Sequence, residues 1–121
     1  MILVDTSIWV DHLRSKDAGL TRLLDVQQVS THPFVVGEVA VGHLRNRDEV
    51  LLMLSFLPVA NVASHEEVLE FISNFSLAGQ GLGYIDVHLL AAVSLTPGTS
   101  LWSRDKRLFA AAVRLTLSVR S

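Results

Sequence analysis

The 121-residue sequence contains no cysteine, only 7% aromatic residues and only 18% charged residues. Without cysteine, the chain has no disulfide, no thiolate nucleophile and no cysteine-based zinc or iron–sulfur site. Its ten basic and twelve acidic residues give a net charge of −2, which excludes an overall basic field for nucleic acid. The longest apolar run, residues 50–57, is too short to span a bilayer, so we expect no membrane segment.

Apolar residues, by contrast, are abundant and make up half of the chain. This content is enough to bury a core, which excludes a disordered chain. The length suits one domain, and we predict a single domain over residues 1–121. The N-terminal residues lack the basic region of a signal peptide, so we expect a cytoplasmic protein.

Short apolar segments alternate with longer helical patterns along the chain. The pattern predicts strands at residues 2–4, 29–31, 100–102 and 115–119, and an extended segment at residues 58–62. It predicts helices at residues 8–14, 20–24, 34–45, 48–56, 84–95 and 105–112, and another that opens at the capping box Ser64-x-x-Glu67. Strands separated by helices indicate an α/β fold, with a mostly parallel sheet and helices on both faces.

Four acidic residues stand out by their positions. Asp5 ends the first strand, and Asp105 follows the strand at residues 100–102. Ligands of parallel sheets bind beyond the carboxyl ends of the strands. Glu38 and Asp86 lie within strongly apolar helices, where a core-facing carboxylate is costly unless it is neutralised.

Each of these acids also has a simpler interpretation, which the sequence leaves open. Asp5 and Asp105 could cap the helices that follow them, and Asp86 could interact with a helix dipole. Glu38 could point to solvent. If the four carboxylates do converge, some stay protonated or a divalent cation holds them together. An all-oxygen set suits Mg²⁺ or Mn²⁺, which favours phosphodiester hydrolysis.

Basic residues are concentrated near one of these acids. When the four acids are left out, the chain has ten basic and eight acidic residues. Three of the basic residues, Arg104, Lys106 and Arg107, flank Asp105 in the sequence. These cations could hold a nucleic-acid backbone beside the metal. The alternative is an ordinary solvated helix face.

Taken together, these segments resemble the PIN domain, and within it the VapC toxins of VapBC toxin–antitoxin pairs. The segments that carry the resemblance are Leu3-Val4-Asp5-Thr6-Ser7-x-Trp9, Glu38, Tyr84-Ile85-Asp86-x-His88-Leu89-Leu90-Ala91-Ala92 and Leu101-Trp102-Ser103-Arg104-Asp105-Lys106-Arg107-Leu108. The resemblance implies a three-layer α/β/α sandwich and an Mg²⁺- or Mn²⁺-dependent endoribonuclease. It implies that the four acids form the catalytic, metal-binding quartet, with the hydroxyls of Ser7 and Ser103 beside it.

The resemblance also implies partners. VapC toxins are usually homodimers, and a cognate VapB-like antitoxin neutralises them by covering the active site with its C-terminal tail. Many cleave tRNA or ribosomal RNA, so we expect a structured RNA substrate, with Arg104 and Lys106 as backbone contacts. The chain is slightly short for the family, so we expect the inter-helix hairpin around residues 46–57 to be trimmed. This region often contacts the antitoxin in relatives.

Two other functions fit part of this sequence, a phosphatase and a non-catalytic binding module. A phosphatase of the haloacid-dehalogenase type would need a second aspartate two residues after Asp5, where this chain has Ser7. A non-catalytic α/β module that dimerises or binds a partner would leave the acids at Glu38 and Asp86 unexplained. The five histidines show no zinc-ligand spacing, and we expect none of them to be a metal ligand.

Overall fold

The computed structural model describes residues 1–119, and it confirms the predicted α/β fold. Three parallel strands form one sheet in the order β2-β1-β3. Their bounds are Ile2–Val4 for β1, Val29–Ser30 for β2 and Ser100–Trp102 for β3. Residues 120 and 121, which belong to the predicted domain, lie outside the described residues.

A single parallel bridge extends the sheet at each edge. Thr31 pairs with Val59 on one side, and Leu101 pairs with Ser118 on the other. The extended segment expected at residues 58–62 thus contributes a single bridge, and the strand predicted at residues 115–119 was wrong in extent. Part of the segment 115–119 instead forms the turn that ends the preceding helix. Thr116 adopts a positive φ of 58°, and the Leu117 amide donates to the carbonyl of Ala112.

Seven helices surround this sheet in the part of the chain that the structure describes. They are α1 Thr6–Arg14, α2 Ala18–Asp25, α3 Pro33–Val41, α4 Arg47–Ser55, α5 His65–Asn74, α6 Tyr84–Leu95 and α7 Lys106–Arg114. The predicted capping box is present. The Glu67 amide donates to the Ser64 hydroxyl, and the Ser64 amide donates to the Glu67 carboxylate. Helix α3 ends before the predicted residue 45, because Gly42 is extended and its amide returns to Val39.

Helices cover both faces of the sheet, which makes the molecule a three-layer α/β/α sandwich. Leu3 and Val4 are neighbours on β1 and therefore point to opposite faces, yet both are fully buried. Helix α6 packs against β3 and α5, and α3 packs against α1 and α4. Along residues 1–119, none of the helices is both long enough and apolar enough to cross a bilayer.

Candidate active site

Three helices carry an acid at the N-cap or in the first turn, and two of them directly follow strands of the sheet. Asp5 follows β1 as the N-cap of α1, and Asp105 follows β3 as the N-cap of α7. Asp86 lies in the first turn of α6, where it accepts a hydrogen bond from the Gly83 amide at 3.0 Å. The helix caps considered for these residues are therefore real, and they also fix where each carboxylate points.

The Asp5 carboxylate is buried and uses both of its oxygens. Oδ1 accepts from the amide of Thr6 at 2.8 Å, which caps α1. Oδ2 accepts from the hydroxyl of Ser103 at 2.7 Å and from that of Ser7 at 3.3 Å. These hydroxyls come from opposite ends of the chain, so Asp5 joins the start of α1 to the loop after β3.

Ser103 and Ser7 hold that loop in place. The Ser103 hydroxyl accepts from the amide of Asp105 at 3.0 Å, and the Ser7 hydroxyl accepts from the amide of Arg104 at 3.3 Å. Oδ1 of Asp105 in turn accepts from the amides of Arg107 and Leu108. The two serines predicted near the acids are therefore joined to Asp5 and to the backbone that carries Asp105.

Glu38 joins this face from α3. Its Oε1 accepts a hydrogen bond of 2.8 Å from the Thr6 hydroxyl, the residue directly after Asp5. Helix α3 packs against α1, and this packing brings the two residues together. Glu38 is exposed, so its carboxylate does not have the unfavourable free energy of burial that its position in an apolar helix suggested.

Asp86 is the half-buried member of the group. Burial raises the pKa of Asp86 above its ordinary value, while the hydrogen bond from the Gly83 amide lowers it. The negative charges of Asp105, Asp5 and Glu38 each raise it further. The other three acids therefore lie near enough to Asp86 for their negative charges to disfavour its ionised form.

No basic side chain neutralises this group within residues 1–119. The ion pairs in this part of the chain join Arg104 to Asp11 and Asp17, and neither carboxylate belongs to the four. One oxygen each of Glu38, Asp86 and Asp105 makes no hydrogen bond to the described residues. Three carboxylate oxygens are therefore available at a face that carries excess negative charge.

Arg104 and Lys106, the two residues predicted to contact the RNA backbone, lie in different environments. The guanidinium of Arg104 pairs with Asp11 at 2.7 Å and with Asp17, and it lies 5.7 Å from the centre of the Trp102 ring. Its charge is therefore already compensated at the surface. Lys106 is exposed at the first position of α7.

Three residues of this region were missed in the sequence analysis. Thr6 orients Glu38, and Asp11 and Asp17 hold Arg104. Thr6 could have been found, because it directly follows Asp5 in the quoted motif. The contacts of Asp11 and Asp17 join α1 and α2 to a loop more than 85 residues away, which no local pattern reveals.

This geometry agrees with the comparison to known proteins. The chain belongs to the PIN-domain family, whose model matches residues 2–114. Over 111 residues it is 48% identical to the protein named Ribonuclease VapC32 of Mycobacterium tuberculosis, in both strain CDC 1551 / Oshkosh and strain ATCC 25618 / H37Rv. That alignment covers 92% of this chain and 90% of the relative.

A solved structure supports the fold independently. The crystal structure of PAE2754 from Pyrobaculum aerophilum superposes with a TM-score of 0.64 and covers 95% of this chain and 88% of that one. The two sequences are only 18% identical, so this likeness concerns the fold alone. The predicted PIN-like sandwich is thereby confirmed.

Proposed function

We propose that this chain is a metal-dependent endoribonuclease of the VapC kind, the toxin of a toxin–antitoxin pair. The observation that carries the proposal is the group of Asp5, Glu38, Asp86 and Asp105 at one face, without a basic partner among residues 1–119. The membership in the PIN-domain family and the 48% identity to a ribonuclease of the VapC type support the same activity.

The donor set fits a hard divalent cation. Carboxylate oxygens without histidine or cysteine suit Mg²⁺ or Mn²⁺. No three His, Asp or Glu side chains within residues 1–119 are placed to ligate an ion together. Mg²⁺ keeps several waters and takes only one or two carboxylates directly, so the proposal needs no more than two acids as direct ligands. We assign Asp5 and Asp86 as direct ligands, Asp5 through Oδ1, which accepts a single hydrogen bond and has a second lone pair. Glu38 and Asp105 are assigned as ligands that act directly or through water.

In this proposal the chain's own residues hold and orient the reactants for hydrolysis of a phosphodiester bond. When bound, the ion would lower the pKa of a coordinated water and offset charge on the scissile phosphate. We propose that one of Glu38 and Asp105 orients the attacking water and accepts its proton, and the hydrogen bond from Thr6 to Glu38 favours Glu38. Attack on phosphorus forms one P–O bond as the bond to the leaving ribose oxygen breaks. Ser7 and Ser103 keep the Asp5 carboxylate fixed throughout.

RNA binding in this proposal uses cations at the rim. Lys106 is exposed beside Asp105, and we propose that it contacts the RNA backbone. Arg104 is proposed as a second backbone contact, although binding a phosphate would compete with Asp11 and Asp17 for its guanidinium. A structured RNA, either tRNA or ribosomal RNA, remains the proposed substrate.

The experiment that tests this function is RNA cleavage by the Asp5→Asn variant. We expect cleavage to fall by at least about 100-fold, the order seen when electrostatic stabilisation of a transition state is lost. The fold should persist, because Asn can still cap α1, and the midpoint of thermal unfolding should stay the same or rise as repulsion is relieved. Asp25→Asn, which changes an exposed acid at the end of α2, is the control and should cleave normally. Undiminished cleavage by Asp5→Asn would refute the assignment.

The antitoxin is proposed to bind an apolar groove between α2 and α4. The groove is lined by Leu24, Glu49, Leu52, Met53, Phe56 and Leu57. The side chain of Phe56 is 78% exposed. A contiguous exposed apolar surface of this kind is typical of a site that binds another protein. Most of this lining comes from α4 and its C-terminal end, within residues 46–57, where the structure has one helix and not a hairpin. This region often contacts the antitoxin in relatives.

This docking site can be tested with the product of the reading frame next to the toxin gene. Phe56→Ser should weaken its binding in a titration calorimeter at least tenfold, because a buried apolar anchor would be lost. Phe75→Ser changes another exposed phenylalanine, at the end of α5, and should bind normally. Equal affinities of the two variants would exclude the groove between α2 and α4.

We also propose that the toxin is a homodimer. Large apolar side chains remain exposed on several elements, and Val41 at the end of α3 is 85% exposed. Sedimentation equilibrium should give twice the 13.3 kDa mass of the chain. A mass of one chain at micromolar concentration would contradict the proposal.

A further inference from the structure

Five aromatic rings form a continuous row beside the first turn of α6. The row consists of His32, Phe34, His88, Tyr84 and His65, in that order. The ring centres of Phe34 and His88 are 4.7 Å apart, as are those of His88 and Tyr84, and both pairs meet edge to face. The row starts at the fully buried His32 and ends with two exposed residues, Tyr84 and His65.

Tyr84 is held firmly although it is exposed. Its hydroxyl lies 2.7 Å from Nδ1 of His65, and its ring packs against His88 at an angle of 84°. Even so, 44% of the residue remains exposed. A ring that is fixed before binding loses little conformational entropy when a ligand stacks on it, so such a ring is a favourable binding platform.

This platform lies at the same end of α6 as Asp86. Tyr84 follows Gly83, whose amide bonds to Asp86, and it precedes Asp86 by two residues on the same helical turn. At about 100° per residue, the two side chains leave nearly opposite sides of the first turn of α6. The Asp86 carboxylate nevertheless returns to the amide of Gly83, the residue directly before Tyr84. His65 begins α5, which follows the segment that pairs Val59 with Thr31 at the end of β2.

We propose that Tyr84, with His65 beside it, is a stacking site for an unpaired base of the RNA, next to the phosphate that is cleaved. This inference rests on the ribonuclease function proposed above. Aromatic side chains recognise bases in single-stranded parts of RNA, because every base has a π face. An exposed ring that is fixed within one helical turn of a phosphodiester-cleaving site is placed to hold such a base.

The inference predicts a specific pattern of variants. Tyr84→Leu removes the ring and should lower kcat/KM on RNA about 10-fold, within the range found when a stacked base is lost. Tyr84→Phe keeps the ring and loses only the contact with His65, so it should retain most of the activity. The control is Phe75→Leu, which removes another exposed ring that packs against Phe71 and should leave cleavage unchanged.

A spectroscopic test separates stacking from a merely structural role. Tyr84 is the single tyrosine of the chain, so incorporation of 3-fluorotyrosine gives one ¹⁹F resonance. In the Asp5→Asn background, which prevents cleavage, we expect this resonance to shift on addition of an RNA hexamer. An abasic hexamer with the same phosphates should leave it unshifted.

Each other outcome overturns the inference. Equal shifts with both hexamers would show that phosphate charge, and not a base, affects the ring. No shift at RNA concentrations that saturate cleavage by the unchanged chain would show that the base does not reach Tyr84. A shift caused by the antitoxin but not by RNA would assign the ring to the protein partner. Failure of the unchanged chain to cleave RNA would instead refute the proposed function.

Discussion

At the scale of single residues, Ser103 is the hydroxyl on which the geometry of the site depends most. It donates to Asp5 at 2.7 Å and accepts from the Asp105 amide at 3.0 Å, and it is buried. A buried hydroxyl with two partners places two acids at once. Ser103 therefore connects the stability of the loop after β3 with the chemistry that we assign to it.

Ser103→Ala tests this connection. We expect the free energy of unfolding to fall by about 1–2 kcal/mol, because the buried amide and carboxylate lose a partner. Cleavage should fall about tenfold or more, since Asp5 and Asp105 lose their shared contact. Urea unfolding and RNA cleavage measure the two effects. Ser103→Thr keeps the hydroxyl and is the matched variant, so equal behaviour of the two would contradict the role of the hydroxyl.

A second residue-scale effect concerns pH. His32 is fully buried as the N-cap of α3, where its Nδ1 accepts from the Phe34 amide at 3.1 Å. Burial, together with the smaller effect of the nearby His88, lowers the pKa of His32 to about 4. Between this value and the ordinary value near 6.5, the unfolded chain binds a proton that the folded chain does not. Stability therefore falls as the pH is lowered through this range.

His32→Asn isolates that effect, because Asn caps the helix without titrating. Between pH 7 and pH 5, the unchanged chain should lose about 2 kcal/mol more unfolding free energy than the variant. Urea unfolding at the two pH values measures the difference. Parallel pH profiles of the two proteins would show that His32 does not titrate in this way.

At the scale of elements, the site consists of helix beginnings. Helices α1 and α7 each start with an aspartate as N-cap, and α6 carries Asp86 in its first turn. The sequence predicted these starts well, because a strand followed by an acid and an apolar helix is a local pattern. The position of Glu38 could not be predicted in this way, since its contact with Thr6 depends on how α3 packs against α1.

The loop before α6 offers another test at this scale. Gly79 and Gly81 both have positive φ values, 75° and 76°. A Cβ at Gly79 would meet nothing within 4 Å, whereas one at Gly81 would come within 2.7 Å of the Arg107 side chain. Gly79→Ala should therefore cost only the left-handed backbone penalty of about 1–2 kcal/mol.

Gly81→Ala should lose the same unfolding free energy for its left-handed backbone. It should also displace the Arg107 side chain from the loop that leads to Asp86. We expect it to lower RNA cleavage more than Gly79→Ala does, at a similar loss of unfolding free energy, because a flexible side chain can move aside. Cleavage assays and urea unfolding of both variants provide the comparison. Equal cleavage would show that the contact between Arg107 and Gly81 does not support the site.

At the scale of the whole molecule, the parallel sheet explains why distant acids meet. The carboxyl ends of β1 and β3 lie side by side, so Asp5 and Asp105 become neighbours although 100 residues separate them. The alternation of strands and helices predicted this edge from sequence. The pairing of Arg104 with Asp11 and Asp17 was not predictable, because it depends on side chains that meet across three elements.

The toxin function predicts a phenotype of the whole protein. Expression of the chain alone should slow bacterial growth, because RNA needed for translation would be cleaved. Expression of Asp86→Asn should not, whereas the exposed-acid control Asp25→Asn should slow growth as the unchanged chain does. Growth curves after induction at matched protein levels test this. Equal toxicity of the unchanged chain and Asp86→Asn would count against cleavage at the acidic site.

The central claim is that carboxylates from distant parts of the chain share one divalent cation, and thermal unfolding with Mn²⁺ tests it most directly. A cation that binds only the folded chain stabilises it by about 2.7 kcal/mol at 100 times its Kd. The midpoint of the unchanged chain should therefore be several degrees higher in Mn²⁺ than in a chelator, and that of Asp86→Asn should change much less. Equal midpoints of the unchanged chain with and without Mn²⁺ would contradict the claim.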